Sequence, residues 1–297
     1  MENKNVVQNV DLFGNPIIEK TQLKNEFIVP PFSILDTQSG DWQNRKNRWK
    51  GLKIKSEVGR DSGCINMDSN KKNIKDVANY VSIFDPVLCE ILYNWFVPKK
   101  GSILDPFAGG SVRGVVANYL DYNYTGIELR EEQVYANENQ GIDIVPENQP
   151  EWLIGDSNQV LDKFDRQFDF VFSCPPYYDL EVYCDDPNDL SNMTHNEFNQ
   201  VYESIINKSC KLLRNNRYAC FVVGNCRDKN GYMMDLVGTT IRAFEKAGLR
   251  FYNDIILRNA VASASMRAKG NMTYKKVVKV HQNVLVFVKG NPKEIVI

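Results

Sequence analysis

Asp105-Pro106-Phe107-Ala108-Gly109-Gly110-Ser111 is the stretch that decides the fold. A short apolar run, Ser102 to Asp105, precedes it and reads as a buried strand; a helical pattern from Ser111 to Leu120 follows it. Two glycines between strand and helix let the backbone approach a ligand and turn into the helix, whose first N–H groups have no intrahelical partner. The stretch is neither the dinucleotide fingerprint Gly-x-Gly-x-x-Gly nor a phosphate loop, since no Gly-Lys-Ser/Thr follows. Asp105 would repel a pyrophosphate and would suit a ligand carrying an ammonium and a sulfonium.

Working outward, strand and helix patterns alternate from about residue 80. Phe84–Phe96 has helical spacing. Strand Tyr124–Glu128 leads to helix Glu131–Gln140, and Trp152–Ile154 and Phe168–Ser173 are further strands. A long amphipathic helix, His195–Leu213, precedes strand Tyr218–Val223; Met233–Ala247 is helical, with Gly248 as its stop. Strands Phe251–Leu257 and Asn283–Val288 close the series with no helix expected between them, so they should pair as an antiparallel hairpin. Alternation of this kind predicts an α/β fold with a mostly parallel sheet covered on both faces.

Two more acids fall after successive strands. Glu128 sits where a carboxylate can accept the hydroxyls of a ribose, and Asp156 where one can accept from an adenine amino group. Read singly, each could instead cap a helix. Cys174-Pro175-Pro176-Tyr177 ends a later strand. Tyr177 and Tyr178 are adjacent, so on a strand end they face opposite ways; Tyr177 is the candidate for stacking and Tyr178 for packing.

Length and composition set bounds. A chain of 297 residues with 43% hydrophobic and 25% charged residues can bury a sizeable core. No apolar run is long enough to span a bilayer, and the amino terminus has no signal-like apolar core. Seven cysteines without a Cys-x-x-Cys pair, together with two distant histidines, argue for reduced thiols in a cytoplasm and against a metal centre. Net charge is −1, yet no Asp or Glu occurs between Ile255 and Pro292. Arg267, Lys269, Tyr274, Lys275 and Lys276 lie in that stretch, within a loop expected to be mobile until it grips phosphates. A second basic stretch, Arg45 to Arg60, carries Trp49 with Trp42 just before it. The two stretches suit local surfaces for phosphate on an otherwise neutral chain, with solvated loops as the alternative reading. Asp185, Asp186 and Asp189 read as a solvated acidic loop. Residues 1–75 read as an irregular N-terminal extension, able to contact nucleic acid or dock, with Asp11–Pro16 as a docking segment or a turn. Residues 76–297 read as the main domain.

With these motifs in order, the chain resembles the S-adenosylmethionine-dependent amino-methyltransferases of DNA. The run Leu104 to Ser111 looks like their cofactor motif, and Glu128 falls at their ribose acid. Gly155-Asp156-Ser157 falls at their adenine turn, and Ser82-Ile83-Phe84-Asp85-Pro86 at the motif before the glycine turn. Cys174 to Tyr177 falls at their catalytic tetrapeptide. More narrowly, Val29-Pro30-Pro31-Phe32-Ser33, the Asp-Leu-Glu-Val-Tyr run after Tyr178 and His281-Gln282-Asn283-Val284-Leu285-Val286-Phe287 are similar to phage-type DNA methylases. The resemblance implies a Rossmann-like class I methyltransferase with a seven-stranded sheet. It implies S-adenosylmethionine held by Phe84, Asp85, Asp105, Phe107, Gly109, Gly110, Ser111, Glu128, Asp156 and Ser157. It also implies DNA as partner, a flipped adenine or cytosine methylated on its exocyclic nitrogen, and a setting in a bacterial cell, a phage or a restriction–modification system; it leaves room for a homodimer.

In that family the tetrapeptide's first side chain and a proline carbonyl accept hydrogen bonds from the target amine, and the aromatic residue stacks on the base. Here the first residue is Cys174, a weak acceptor where Asp, Asn or Ser is usual. The departure keeps open a cysteine nucleophile for cytosine carbon 5, a non-catalytic DNA-binding subunit, and a Cys174 that only packs. An RNA or protein methyltransferase stays open as well, because similar Pro-Pro-Tyr strand ends serve other planar amides and amines.

Overall fold

The computed structural model describes residues 23–54, 84–178, 186–261 and 264–297. Asp11–Pro16, Ser82, Ile83, the 179–183 run, Asp185 and the basic stretch beyond residue 54 lie outside them. The chain divides into a unit ending at Pro31 and a main unit, Phe32–Ile297. The described part of the first holds one short helix, α1 (Leu23–Phe27).

In the main unit the order is β1 (Ile34–Asp36), α2 (Gly40–Gly51), α3 (Pro86–Phe96), β2 (Ser102–Asp105), α4 (Val112–Tyr119) and β3 (Asn123–Glu128). There follow α5 (Glu131–Ile144), β4 (Glu151–Ile154), α6 (Ser157–Val160), β5 (Phe168–Ser173), α7 (His195–Leu212) and β6 (Leu213–Val223). A small hairpin, β7 (Cys226–Arg227) and β8 (Met233–Met234), leads to α8 (Leu236–Lys246), β9 (Arg250–Arg258), α9 (Ala264–Thr273) and β10 (His281–Lys289).

The main sheet has the order β1-β9-β10-β6-β5-β2-β3-β4. Only β10 runs antiparallel, pairing with β6 on one side and β9 on the other. This is the Rossmann-like α/β arrangement with an antiparallel last hairpin that the sequence predicts. The strand order reverses its march between β2 and β5, a topological switch point, where open parallel sheets bind ligands.

Four details correct the sequence reading. The sheet has eight strands rather than seven, because β1 adds in parallel to β9 with Ile34 opposite Ile256. The extension is not irregular throughout: after β1 comes the twelve-residue helix α2, capped by Ser39. Met233 and Met234 pair with Arg227 and Cys226 instead of starting α8, whose amino end is fixed by the Asp235 carboxylate accepting from Gly238 N. The basic loop contains a helix, α9, because its small residues and Met266, Met272 and Lys269 are compatible with helix and no proline interrupts them.

Local signals explain the other elements. Asp85 caps α3 ahead of Pro86, and Thr194 and Glu197 form a reciprocal capping box on α7. All of β5 is buried, as its apolar run requires for a strand covered on both faces. The core continues into β10, where Phe287 stacks on Phe244 of α8 with ring centroids 4.0 Å apart. Cys89, Cys210 and Cys220 sit in this interior, where burial pushes their thiols up, Cys210 to about 12.

Asp169 fastens the sheet at the amino ends of its central strands. It accepts from Ser102 N and Oγ on β2, from Arg214 Nη1 at 2.6 Å and from Arg217 Nε at 3.2 Å on β6. Burial alone would raise its pKa, but these donors outweigh burial and hold the carboxyl below its usual range.

Candidate functional site

One cleft of about 590 Å³ opens along the carboxyl edge of the parallel strands. Segments following β1, β2, β3, β4, β5 and β9 line it, joined by Gln282 at the start of β10. Its volume lies within the ~300–1,000 Å³ usual for small-molecule sites. The glycine turn and the Cys-Pro-Pro-Tyr strand end, on either side of the switch point, share this cleft.

The glycine turn is clamped. Gly109 takes the left-handed conformation at φ +53°, which favours glycine. Its N–H donates to Glu128 Oε2 at 2.9 Å, and its carbonyl accepts from Asn137 Nδ2 at 2.7 Å. Arg130 N and Nε donate to the other oxygen of Glu128. Glu128 therefore stands at the end of β3 in a fixed orientation, lining the cleft.

Asp105 does not line the cleft, contrary to the direct ligand contact expected of it. Its carboxylate is fully buried and closed off by four donors. Arg113 Nε lies 2.5 Å from Oδ2, Tyr124 Oη 2.7 Å from the same oxygen, and Ser173 Oγ and Phe107 N bond Oδ1 at 2.5 and 3.1 Å. The charge expected to meet a ligand's ammonium is met by Arg113 from within the protein. Arg113 also donates to the carbonyls of Phe107 and Ala108, so it shapes the turn from beneath. Burial alone would lower the guanidinium's pKa; Asp105, Tyr124 and Cys174 outweigh it and the value is raised.

Ser111 likewise stays outside the cleft. It is buried at the start of α4, makes no capping bond, and its Oγ has no hydrogen-bond partner among the described residues. Phe107, Gly110, Ser157 and Phe84 do line the cleft, with Ser157 Oγ donating to the Pro106 carbonyl and Phe84 under the Arg113 guanidinium. Asp156 lines it too, and one of its oxygens caps α6 by accepting from Asn158 N at 2.8 Å. Asp85 caps α3 and also accepts from Trp42 Nε1 and Lys46 Nζ of α2.

At the end of β5, Cys174, Pro175, Pro176 and Tyr177 all line the cleft. Gln282 Nε2 donates to Tyr177 Oη at 2.8 Å, which fixes the ring from β10. Tyr178 turns away at φ +53° and is buried between His195 and Phe198, with centroids 4.7 and 4.4 Å away. Beside Tyr177, Lys279 reaches over Gly224 to the Asn225 carbonyl, and burial lowers its pKa against an opposing effect of Cys226.

Arg267, Lys269, Tyr274, Lys275 and Lys276 are not in the cleft. They lie on α9 and the turn after it, mostly exposed, with Tyr274 77% accessible. Lys276 lies over the Tyr274 ring at 5.9 Å and packs on Gly231 of the small hairpin. The other basic stretch is partly consumed: Arg45 pairs with Glu90 and Lys46 with Asp85, both within the fold.

Sequence reasoning missed several cleft residues. Thr37, Gln38 and Lys46 come from the supposed extension, and Asp189, read as solvated, is buried and lines the cleft. Trp42, Arg45, Lys46 and Trp49 have helical spacing on one face, a signal that could have identified α2.

No protein-family model matches the chain, and no curated protein matches it. Among solved structures it is similar to magnesium protoporphyrin IX methyltransferase (ChlM) from Synechocystis PCC 6803 with bound SAM, at 11% identity and TM-score 0.46 over 82% of this chain and 90% of that one. A methyltransferase from Pyrococcus furiosus matches at 16% identity and TM-score 0.46, over 84% of this chain and 100% of its own. TrmN from Thermus thermophilus matches at 14% identity and TM-score 0.46 over 69% of this chain, which spans 48% of TrmN's length.

Proposed function

We propose that the chain is an S-adenosylmethionine-dependent methyltransferase acting on the exocyclic amine of adenine (N6) or cytosine (N4) in DNA. The observation that carries this reading is the shared cleft. A glycine turn clamped to a strand-end carboxylate, Glu128, stands across the switch point from Cys174-Pro175-Pro176-Tyr177.

The residues present fit the cofactor. Glu128 offers a fixed acceptor for ribose hydroxyls, Asp156 an acceptor for an adenine amine, and Ile127, Leu129 and Ile205 give apolar walls. When bound, S-adenosylmethionine supplies a methyl group on a positive sulfonium. Tyr177, steadied by Gln282, offers an aromatic face to a flipped base. Cys174 and the Pro175 carbonyl accept from the target amine and orient its lone pair. Much of the rate then comes from positioning. α9 and its turn supply cations for phosphates, and Tyr274 an exposed aromatic beside them.

The test is mass spectrometry of nucleosides from DNA incubated with the protein and methyl-labelled S-adenosylmethionine. Labelled N6-methyladenine or N4-methylcytosine supports the reading and identifies the base. Label at cytosine carbon 5 would make Cys174 a nucleophile instead. DNA without label, while RNA or protein takes it up, would sink the DNA assignment.

A further inference from the structure

The residues after Phe32 that precede the parallel core form a strap across the cleft. β1 hydrogen-bonds to the sheet edge through β9, and Thr37 bonds the Arg258 carbonyl with both N and Oγ1. The chain then crosses to α3, where α2 is stitched down. Trp42 and Lys46 bond Asp85, and Arg45 and Trp49 bond Glu90. Trp42 and Trp49 are 1% and 6% exposed, and Trp49 sits edge-on to Tyr119 of α4 at 5.2 Å. Between these anchors, Thr37, Gln38 and Lys46 line the cleft.

Among the described lining residues the cations are Lys46, Arg113 and Arg130. Arg113 and Arg130 are 6% exposed, committed to Asp105 with two carbonyls and to Glu128 with Gln133. Lys46 differs. Its side chain is 30% exposed and meets Asp85 Oδ2 at 2.8 Å. An ammonium has three donors, so a bond to Asp85 does not exhaust it. The Lys46–Asp85 pair thus presents a fixed plus and minus side by side on the cleft wall. That is the complement of a zwitterionic α-amino acid.

We infer that Lys46 binds the α-carboxylate of the cofactor's amino-acid end, with Asp85 beside it for the ammonium. This rests on the cofactor reading above and adds to it a binding residue from outside the parallel core. The strap positions it: α2 is held at both ends before any ligand arrives, so little side-chain freedom is lost on binding.

The test is calorimetric titration of the full chain with S-adenosylmethionine and with decarboxylated S-adenosylmethionine, which lacks only that carboxylate. The wild type should prefer the carboxylated ligand roughly tenfold, the scale of one charge-assisted hydrogen bond. Lys46→Met should erase the preference by weakening S-adenosylmethionine alone, and Lys46→Arg should restore it. Arg45→Met, which removes one of the two bonds from α2 to Glu90, should weaken both ligands alike and controls for loosening of the strap. A Lys46→Met protein that keeps the preference, or loses both ligands equally, overturns the assignment of Lys46. A wild type that binds neither adenosyl ligand overturns the cofactor reading itself, and this assignment with it.

Discussion

Arg113 Nε and Asp105 Oδ2 lie 2.5 Å apart, with the two side chains 6% and 0% exposed. The pair builds the floor of the glycine turn rather than its ligand surface. Removing one partner of a buried pair strands the other, at about 3–5 kcal/mol. Asp105→Asn is therefore expected to lower the melting temperature sharply, with any loss of ligand affinity following from the distorted turn. A variant of unchanged stability with selectively lost ligand affinity, seen by calorimetry and thermal unfolding together, would return Asp105 to the contact role.

Glu128 combines both roles, since the buried Arg130 also bonds its carboxylate. Its carboxylate holds the Gly109 N–H and faces the cleft. Glu128→Gln keeps the shape and removes the charge. The expected result is a cofactor affinity weakened by about 2 kcal/mol, roughly thirtyfold in Kd, with affinity for DNA unchanged. Equal losses for both ligands would contradict this division of labour.

Cys174 and Tyr177 divide in another way. Cys174→Ser supplies a better acceptor and should keep or raise the rate of amine methylation, while Cys174→Ala should lower kcat with little change in KM for DNA. Tyr177→Ala removes a stacking surface worth about 1–3 kcal/mol. A full rate in Cys174→Ala, measured by label transfer, would show that the thiol does not hold the amine.

The basic face formed by α9 and the turn after it should carry salt dependence. Neutralising Lys275 and Arg267 is expected to weaken DNA binding evenly across sequences. It should flatten the log–log salt slope by about 0.9 for each phosphate that is no longer neutralised. Fluorescence anisotropy across a salt series reads this directly, and an unchanged slope would remove the face from the interface.

Asp169 predicts a pH dependence. Its folded pKa is depressed, so its contribution to stability is present above the unfolded carboxylate value and is lost as pH falls through the folded value. Asp169→Asn should cost about 1–3 kcal/mol near neutrality. The gap to wild type should then close in acid, below about pH 4. Denaturant unfolding at pH 7 and in acid checks this; a gap that stays constant would contradict it.

The parallel core was readable because its signals are local. Apolar strands, caps such as Asp85 and Thr194, and glycine turns carry their own instructions within a few residues. The strand-end motifs that line the candidate cleft were readable for the same reason. What escaped depends on distant partners. Nothing next to Asp105 says that Arg113, Tyr124 and Ser173 will close over it. Nothing near Ile34 says that a strand formed more than two hundred residues later will accept it. Asp189 looked solvated because its neighbours are polar, yet it is buried at the cleft wall.

The pairing of β1 with β9 also bears on how the chain is made. Arg258 Nη1 bonds Asp36 Oδ2 across 222 residues. At about 5–20 residues per second on the ribosome, roughly 10 to 45 s separate the synthesis of the two. Throughout that interval the earlier strand has no docking edge, and the wall it brings to the cleft cannot be set. Birth order and assembly order are thus reversed: the segment made first is seated only after its distant partner has been made, and the cleft wall it supplies waits for β9.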